Sequence, residues 1–211
     1  MMIVMLENDG HNAESQEKPR DLTMGHSQAD KAQSRERILE QAAEQIRDGG
    51  LESVSVGKLM RSANLTHGGF YGHFASRSDL LLHALERALD AGSAAFDARN
   101  GKGSVEYSAT VRSYLSRKHR DARTTGCAIA ALAGDVARAD EAAREAMSAH
   151  IERFIGRVDT ALGGDDPDKA VFAVSAMIGA LVVSRVMADE KRADAVLAAA
   201  KRELLAIQQK E

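Results

Sequence analysis

The spacing of apolar residues predicts a succession of helices joined by short polar loops. Ile38, Ala42 and Ile46 recur every fourth position with Leu39 and Ala43 beside them, one stripe on a helix that starts near Ser34 and stops at Gly49-Gly50. Val56, Leu59, Met60 and Ala63 share a face of a short second helix capped by Ser55. Asn64 follows, a residue that tolerates left-handed backbone and so can close a tight turn. Thr66 caps a third helix over residues 66–74, whose apolar side is Phe70 and Phe74. Ser76 caps a long fourth helix reaching about Arg99, with Asp79 in its first turn. Further helices are predicted over about 104–117, 127–138, 140–162, 167–187 and 190–208, with Asp166-Pro167 as cap and first-turn proline of the penultimate one. Lys118 to Asp121 reads as a solvated loop. No segment alternates like a strand, so the expected fold is all-α.

Composition agrees: alanine occurs 37 times, proline twice and tryptophan never. The 211 residues make one large domain or two small ones. One cysteine excludes a disulfide framework and any multi-thiolate metal site. Met1 to Leu6 is too short for a signal sequence. The longest apolar stretch, Ala170 to Val183, falls short of the roughly 20 residues that span a bilayer. It reads as a buried helix, and the expectation is a cytoplasmic protein without a membrane partner. Residues 1–31 are polar and acidic and are expected to form a disordered tail, with Met24 an alternative start.

Charge is distributed unevenly. The net charge is −3, yet no acidic residue occurs from Ser53 through Ser78, where Lys58, Arg61, His67, His73 and Arg77 lie. Two readings stand: a localised contact with an anion, or chance. The tight turn between the second and third helices favours the first, because three helices so arranged form a helix-turn-helix over about residues 55–74. In such a unit the third helix offers a polar face to a DNA groove while its apolar face anchors it. The competing reading is a compact helical core with an incidental turn.

The run LTHGGFYGHFASRSDLL, Leu65 to Leu81, resembles the recognition-helix signature of the TetR family of bacterial transcriptional regulators, and SRERILEQAAEQIRDGGLESVSVGKLMRSA fits its first two helices. The resemblance covers about residues 32–92. It implies a DNA-binding domain there and an effector-binding and dimerisation domain over 93–211. Carried over residue by residue, Tyr71 and His73 match phosphate contacts, and Thr66 and His67 match positions touching phosphate or base edges. Gly68 and Gly69 match positions that read bases elsewhere in the family, while Arg77 and Ser55 match backbone-gripping residues. Three departures stand out. Asn64 replaces the usual turn glycine, Ile46 replaces a first-helix aromatic, and Gly68, Gly69 and Gly72 crowd the recognition helix. The glycines read either as close backbone approach to DNA or as drift within the family.

The same resemblance implies an effector among the middle helices, with the fourth helix as mechanical link. Candidate pocket residues are Phe96, Tyr107, Tyr114, Cys127, Met147, Phe154, Phe172 and Met177, each of which also reads as plain core. Cys127, near a helix start that lowers a thiol's pKa, reads either as an oxidant sensor or as buried filler. His83, His119 and His150 lack metal-ligand spacing, and no metal or cofactor is expected. Ala193, Leu197, Ala200, Leu204 and Ile207, spaced 4, 3, 4, 3, suggest with the apolar stretch before them a homodimer through the last two helices. The expectation is a homodimeric regulator, a repressor released from a double-stranded DNA operator by a small-molecule effector. The alternatives are a helix-turn-helix protein without a small ligand, or a thiol enzyme using Cys127 with His119 or His150.

Overall fold

The computed structural model describes the backbone of residues 23–100 and 106–208, and the side chains of 28–94 and 106–208. Its regular elements are all helical: α1 (Thr23–Gly49), α2 (Val56–Ser62), α3 (Arg77–Asn100), α4 (Tyr107–Tyr114), α5 (Arg117–Asp121), α6 (Ala128–Val136), α7 (Glu141–Leu162), α8 (Pro167–Val186) and α9 (Glu190–Ile207). Single 3-10 turns cover Leu51–Ser53 and His67–Gly72.

Caps explain most of the boundaries. The side chains of Asp140, Asp166 and Asp189 accept first-turn N–H groups of α7, α8 and α9. Gly163, at φ 101°, ends α7 in the left-handed region. Two of the α-helices differ from the sequence expectation. α1 begins at Thr23, so residues 23–31 of the expected tail are helical; Ser34 is no cap but a buried mid-helix residue taking a hydrogen bond from Arg37 Nη2 at 3.1 Å. The remainder of that tail lies outside the described residues. The expected loop at Lys118 to Asp121 is α5, capped by Ser116 and burying His119 and Arg120. Arg120 has reason to turn inward, because Asp194 of α9 lies 2.9 Å from its Nη1.

Two hydrophobic cores hold the chain. The first gathers Ile38, Ala42 and Ile46 of α1, Leu59 and Met60 of α2, Phe70 and Phe74, and Leu80, Leu85 and Leu89 of α3. It does not stop at residue 92, since Ile129, Leu132 and Val136 of α6 and Met147 of α7 belong to it. The second joins Tyr107 and Val111 of α4, Val158 of α7, Val174, Met177 and Leu181 of α8, and Leu197 and Leu204 of α9. Cys127, Phe154 and Ile178 pack against both.

α8 is long and apolar enough by composition to cross a bilayer, but it serves here as the central helix of the second core. Ala170, Ala173, Val174, Met177 and Leu181 face inward. Phe172, Val182, Val183 and Val186 face outward, with the small residues Ser175 and Gly179 exposed between them. The regular seam of α9 is spent inside the chain: Ala193, Leu197 and Leu204 are buried, the last two in the second core.

Candidate nucleic-acid interface and effector cavity

Asn64, at φ 59°, is the one non-glycine residue with positive φ among those described, and it makes the turn between α2 and the recognition segment. Thr66 then caps that segment, its Oγ1 accepting the Gly69 N–H at 3.3 Å. The segment is a 3-10 turn over His67–Gly72 rather than the expected α-helix. Its carbonyl of Thr66 takes the Gly69 N–H, and that of Phe70 takes the His73 N–H. Three glycines in six residues weaken the longer α ladder, and tight turns of this kind tolerate them.

Phe70 and Phe74 are 3% and 2% exposed, and burial of each ring contributes about 1.5–3 kcal/mol. Tyr71 between them is 73% exposed. Thr66, His67, Gly68 and Gly72 share its exposed side, and Ser55 at the start of α2 is exposed as well. A Cβ added at Gly68 or Gly72 would meet nothing within 4 Å. A Cβ at Gly69 would lie 3.5 Å from Thr66 Oγ1 and 3.8 Å from Met60 Cε. Arg77 Nη2 is engaged by Glu52 Oε2 at 3.2 Å and by the carbonyls of Leu51 and Val54 at 3.3 and 3.5 Å, tying α3 to the Leu51–Ser53 turn.

α1 adds two basic residues that sequence reasoning missed. Arg35 lies over the Phe74 ring, 5.0 Å from its centre. Burial, and then the charges of Lys31 and Arg35, hold the His73 imidazole below its ordinary pKa. Nδ1 of His73 is buried without a hydrogen-bond partner. The only prior signal was the i, i+4 spacing of Lys31 and Arg35 on one helix face.

A partly open cleft lies between α3, α6 and α7. Tyr114, Cys127 and Phe154 of the expected pocket line it, together with His119, His150, Arg153 and Arg157. Tyr107, Met147 and Met177 do not; they are buried in the cores. Tyr107 donates its hydroxyl to the Leu204 carbonyl at 3.1 Å, and burial pushes its pKa up to about 12. Phe172, 59% exposed, stands on the outer face of α8. The side chain of Phe96 lies outside the described residues.

The cleft wall is hydrogen-bonded in a closed pattern. Tyr114 donates to Cys127 Sγ at 3.0 Å, and its burial, more than the neighbouring thiol, raises the phenol pKa well above its usual value. Cys127 Sγ in turn caps α6 by accepting the Ala130 N–H at 3.4 Å. The Cys127 N–H donates to His119 Nε2 at 3.2 Å, so His119 carries its proton on Nδ1 and gives it to the Tyr114 carbonyl at 2.8 Å. The thiol thus meets a phenol, and both ring nitrogens of His119 meet backbone groups.

Comparison with known proteins agrees with this geometry. Residues 38–84 match the model of the bacterial regulatory proteins of the tetR family. No curated protein matches the chain. Among solved structures, a TetR transcriptional regulator from Chloroflexus aurantiacus superposes with a TM-score of 0.73 at 21% identity, covering 87% of this chain and 98% of that one. SCO4454, a TetR-family regulator from Streptomyces coelicolor, gives 0.66 at 20% identity over 90% and 98%. The reduced form of NemR from E. coli gives 0.67 at 20% identity over 81% and 96%.

Proposed function

We propose that this chain, whose residues 38–84 are the helix-turn-helix domain of the tetR family of bacterial regulatory proteins, is a cytoplasmic repressor that a small molecule releases from its operator. The observation that carries the reading is the division of the recognition segment. Phe70 and Phe74 are sunk in the core, while Tyr71 stands free beside His67, Gly68 and Gly72. A segment built this way can enter a major groove without unfolding. Tyr71, Thr66 and Ser55 then meet phosphates, and His67 meets base edges. The two open glycines let the backbone come close, so shape and backbone contacts carry much of the specificity. Lys31 and Arg35 extend the positive surface past His73.

Two copies must present their recognition segments about 34–36 Å apart to meet successive grooves on one face of the duplex. The outward stripe of α8 supports a twofold pairing, because Ser175 and Gly179 let a second helix approach between the flanking valines and Phe172. Release follows if an effector in the cleft binds better to the copy spacing that DNA does not accept. α6 supports the coupling: its start, Cys127, lines the cleft, and Asp135 near its end holds the Leu51 N–H of the DNA-binding domain at 3.0 Å.

The test uses duplexes selected by the wild-type protein from a random pool. Tyr71→Ala is expected to weaken binding to selected and unrelated duplexes alike by about tenfold, or about 1.4 kcal/mol. His67→Ala is expected to reorder the preference among selected duplexes. Gel shifts in which both variants match wild type overturn the assignment.

A further inference from the structure

The recognition segment is poor in side chains able to read a base. Of the six residues His67–Gly72, three are glycines, Phe70 is sunk in the core, and only His67 and Tyr71 reach outward. The helix packed against the segment, α2, supplies a further donor. Gly57 lies in the first turn of α2, and a Cβ built there would lie 3.6 Å from Arg61 Nη1 and 3.7 Å from His67 Nδ1. The missing side chain leaves a notch with a guanidinium on one rim and an imidazole on the other. Gly57 and Arg61 stand one turn apart, on the face of α2 opposite the buried Leu59 and Met60. Long helical side chains lean back toward the helix start, so the arginine lies over the glycine and toward the recognition segment.

Arg61 is exposed, and among the described residues no hydrogen bond or ion pair holds its guanidinium. Arg77, the other arginine of the stretch without acidic residues, is instead occupied by Glu52 and by the carbonyls of Leu51 and Val54. Lys58 is exposed as well, but it stands about 100° round the helix from Gly57, away from the notch. We infer that Arg61 reads a guanine of the operator, its guanidinium forking to N7 and O6 in the major groove beside the base edge met by His67. The inference rests on the operator reading and adds a specificity residue outside the recognition segment. In that reading the notch borders the first residue of the segment in the groove, which puts base edges within reach of a long side chain. The planar fork matches the two acceptors of guanine, whereas adenine offers N7 beside an amino donor. A phosphate would also accept a guanidinium, but such a contact weakens all duplexes alike when it is lost, and a base contact only those that carry the base.

Gel shifts on the full-length protein test it, with a duplex selected by the wild type from a random pool and an unrelated duplex. The selected pool is expected to carry a guanine at one position of each half-site. Arg61→Gln, a change at an exposed side chain that leaves the core untouched, is expected to weaken the selected duplex by about tenfold or more and the unrelated one by about threefold or less. A pool selected by this variant should lose the guanine. Replacing that guanine by 7-deazaguanine, which lacks N7 and still pairs with cytosine, is expected to weaken wild type by about threefold or more and to leave Arg61→Gln unaffected. The inference is overturned if Arg61→Gln keeps wild-type affinity and base preference, or if the 7-deazaguanine effect persists in it. It is also overturned by an equal loss on both duplexes with a shallower salt dependence, the mark of a phosphate contact. Tyr71→Ala on the same duplexes keeps the two readings apart. If it weakens both while Arg61→Gln matches wild type, the guanine contact alone falls; if the wild type enriches no sequence, the operator reading falls with it.

Discussion

Asp135 Oδ2 accepts the backbone N–H of Leu51 at 3.0 Å, joining α6 to the turn that follows α1. The contact is close because Gly50, at φ 84°, has no side chain: a Cβ there would lie 2.5 Å from the same oxygen. The bond therefore links a helix that starts at the cleft to the domain that carries the recognition segment. Asp135→Ala is expected to destabilise the protein by about 1–2 kcal/mol in urea unfolding, since a bond to a charged acceptor is lost in a partly buried place. Asp135→Asn keeps an acceptor and should lose less. Equal unfolding midpoints for all three proteins would show that the bond contributes nothing.

Gly126 precedes the Cys127 cap, and a Cβ at that position would lie 2.2 Å from the Ala122 carbonyl and 2.9 Å from Arg185 Nη2. The arginine can shift, but the backbone carbonyl cannot without moving the α5–α6 connection. Gly126→Ala should therefore cost about 1–3 kcal/mol, and its melting temperature should fall accordingly. Wild-type melting would mean that the connection is looser than the structure indicates.

His150 and His73 both have pKa values held below the ordinary 6.5, in each case first by burial and then by neighbouring cations. The unfolded chain thus binds more protons at these positions than the folded chain once pH drops below about 6.5. Their contribution to stability is complete above that pH and is lost as pH falls through their lower folded values. Melting temperature should decline between pH 7 and 5, and His150→Gln should flatten part of the decline. A variant whose profile runs parallel to wild type would contradict the assignment.

The outward stripe of α8 gives a fourth prediction. Phe172→Asp and Val186→Asp place charges at residues 59% and 77% exposed, where the single chain loses little packing. In the proposed twofold pairing these charges become buried and unpaired. Sedimentation is expected to show a dimer for wild type and a monomer for the double variant. An unchanged mass would move the pairing surface elsewhere.

Much of this architecture was legible in the chain. The stripe Ile38–Ala42–Ile46 is a helix face buried as its spacing implies. Asn64, Thr66, Asp166 and Pro167 mark boundaries through local chemistry that needs no tertiary partner. What escaped depends on long-range contacts. α5 is charged along its length and reads as solvated, but Arg120 finds Asp194 from α9, 74 residues away. Lys31 and Arg35 read as tail and first-helix surface until the fold sets them beside His73. The α9 seam is regular enough for a partner helix, yet its own chain fills it. Of the candidate pocket, Tyr114, Cys127 and Phe154 line a cleft, because apolar residue type alone does not distinguish a wall from a core.

The bare positions at Gly68 and Gly72 bear on how this segment can diverge. A Cβ introduced there meets no atom within 4 Å, so the fold imposes no steric toll at that atom. Under the proposed operator contact, a duplicated copy could thus acquire a new vocabulary one residue at a time, with its scaffold intact throughout.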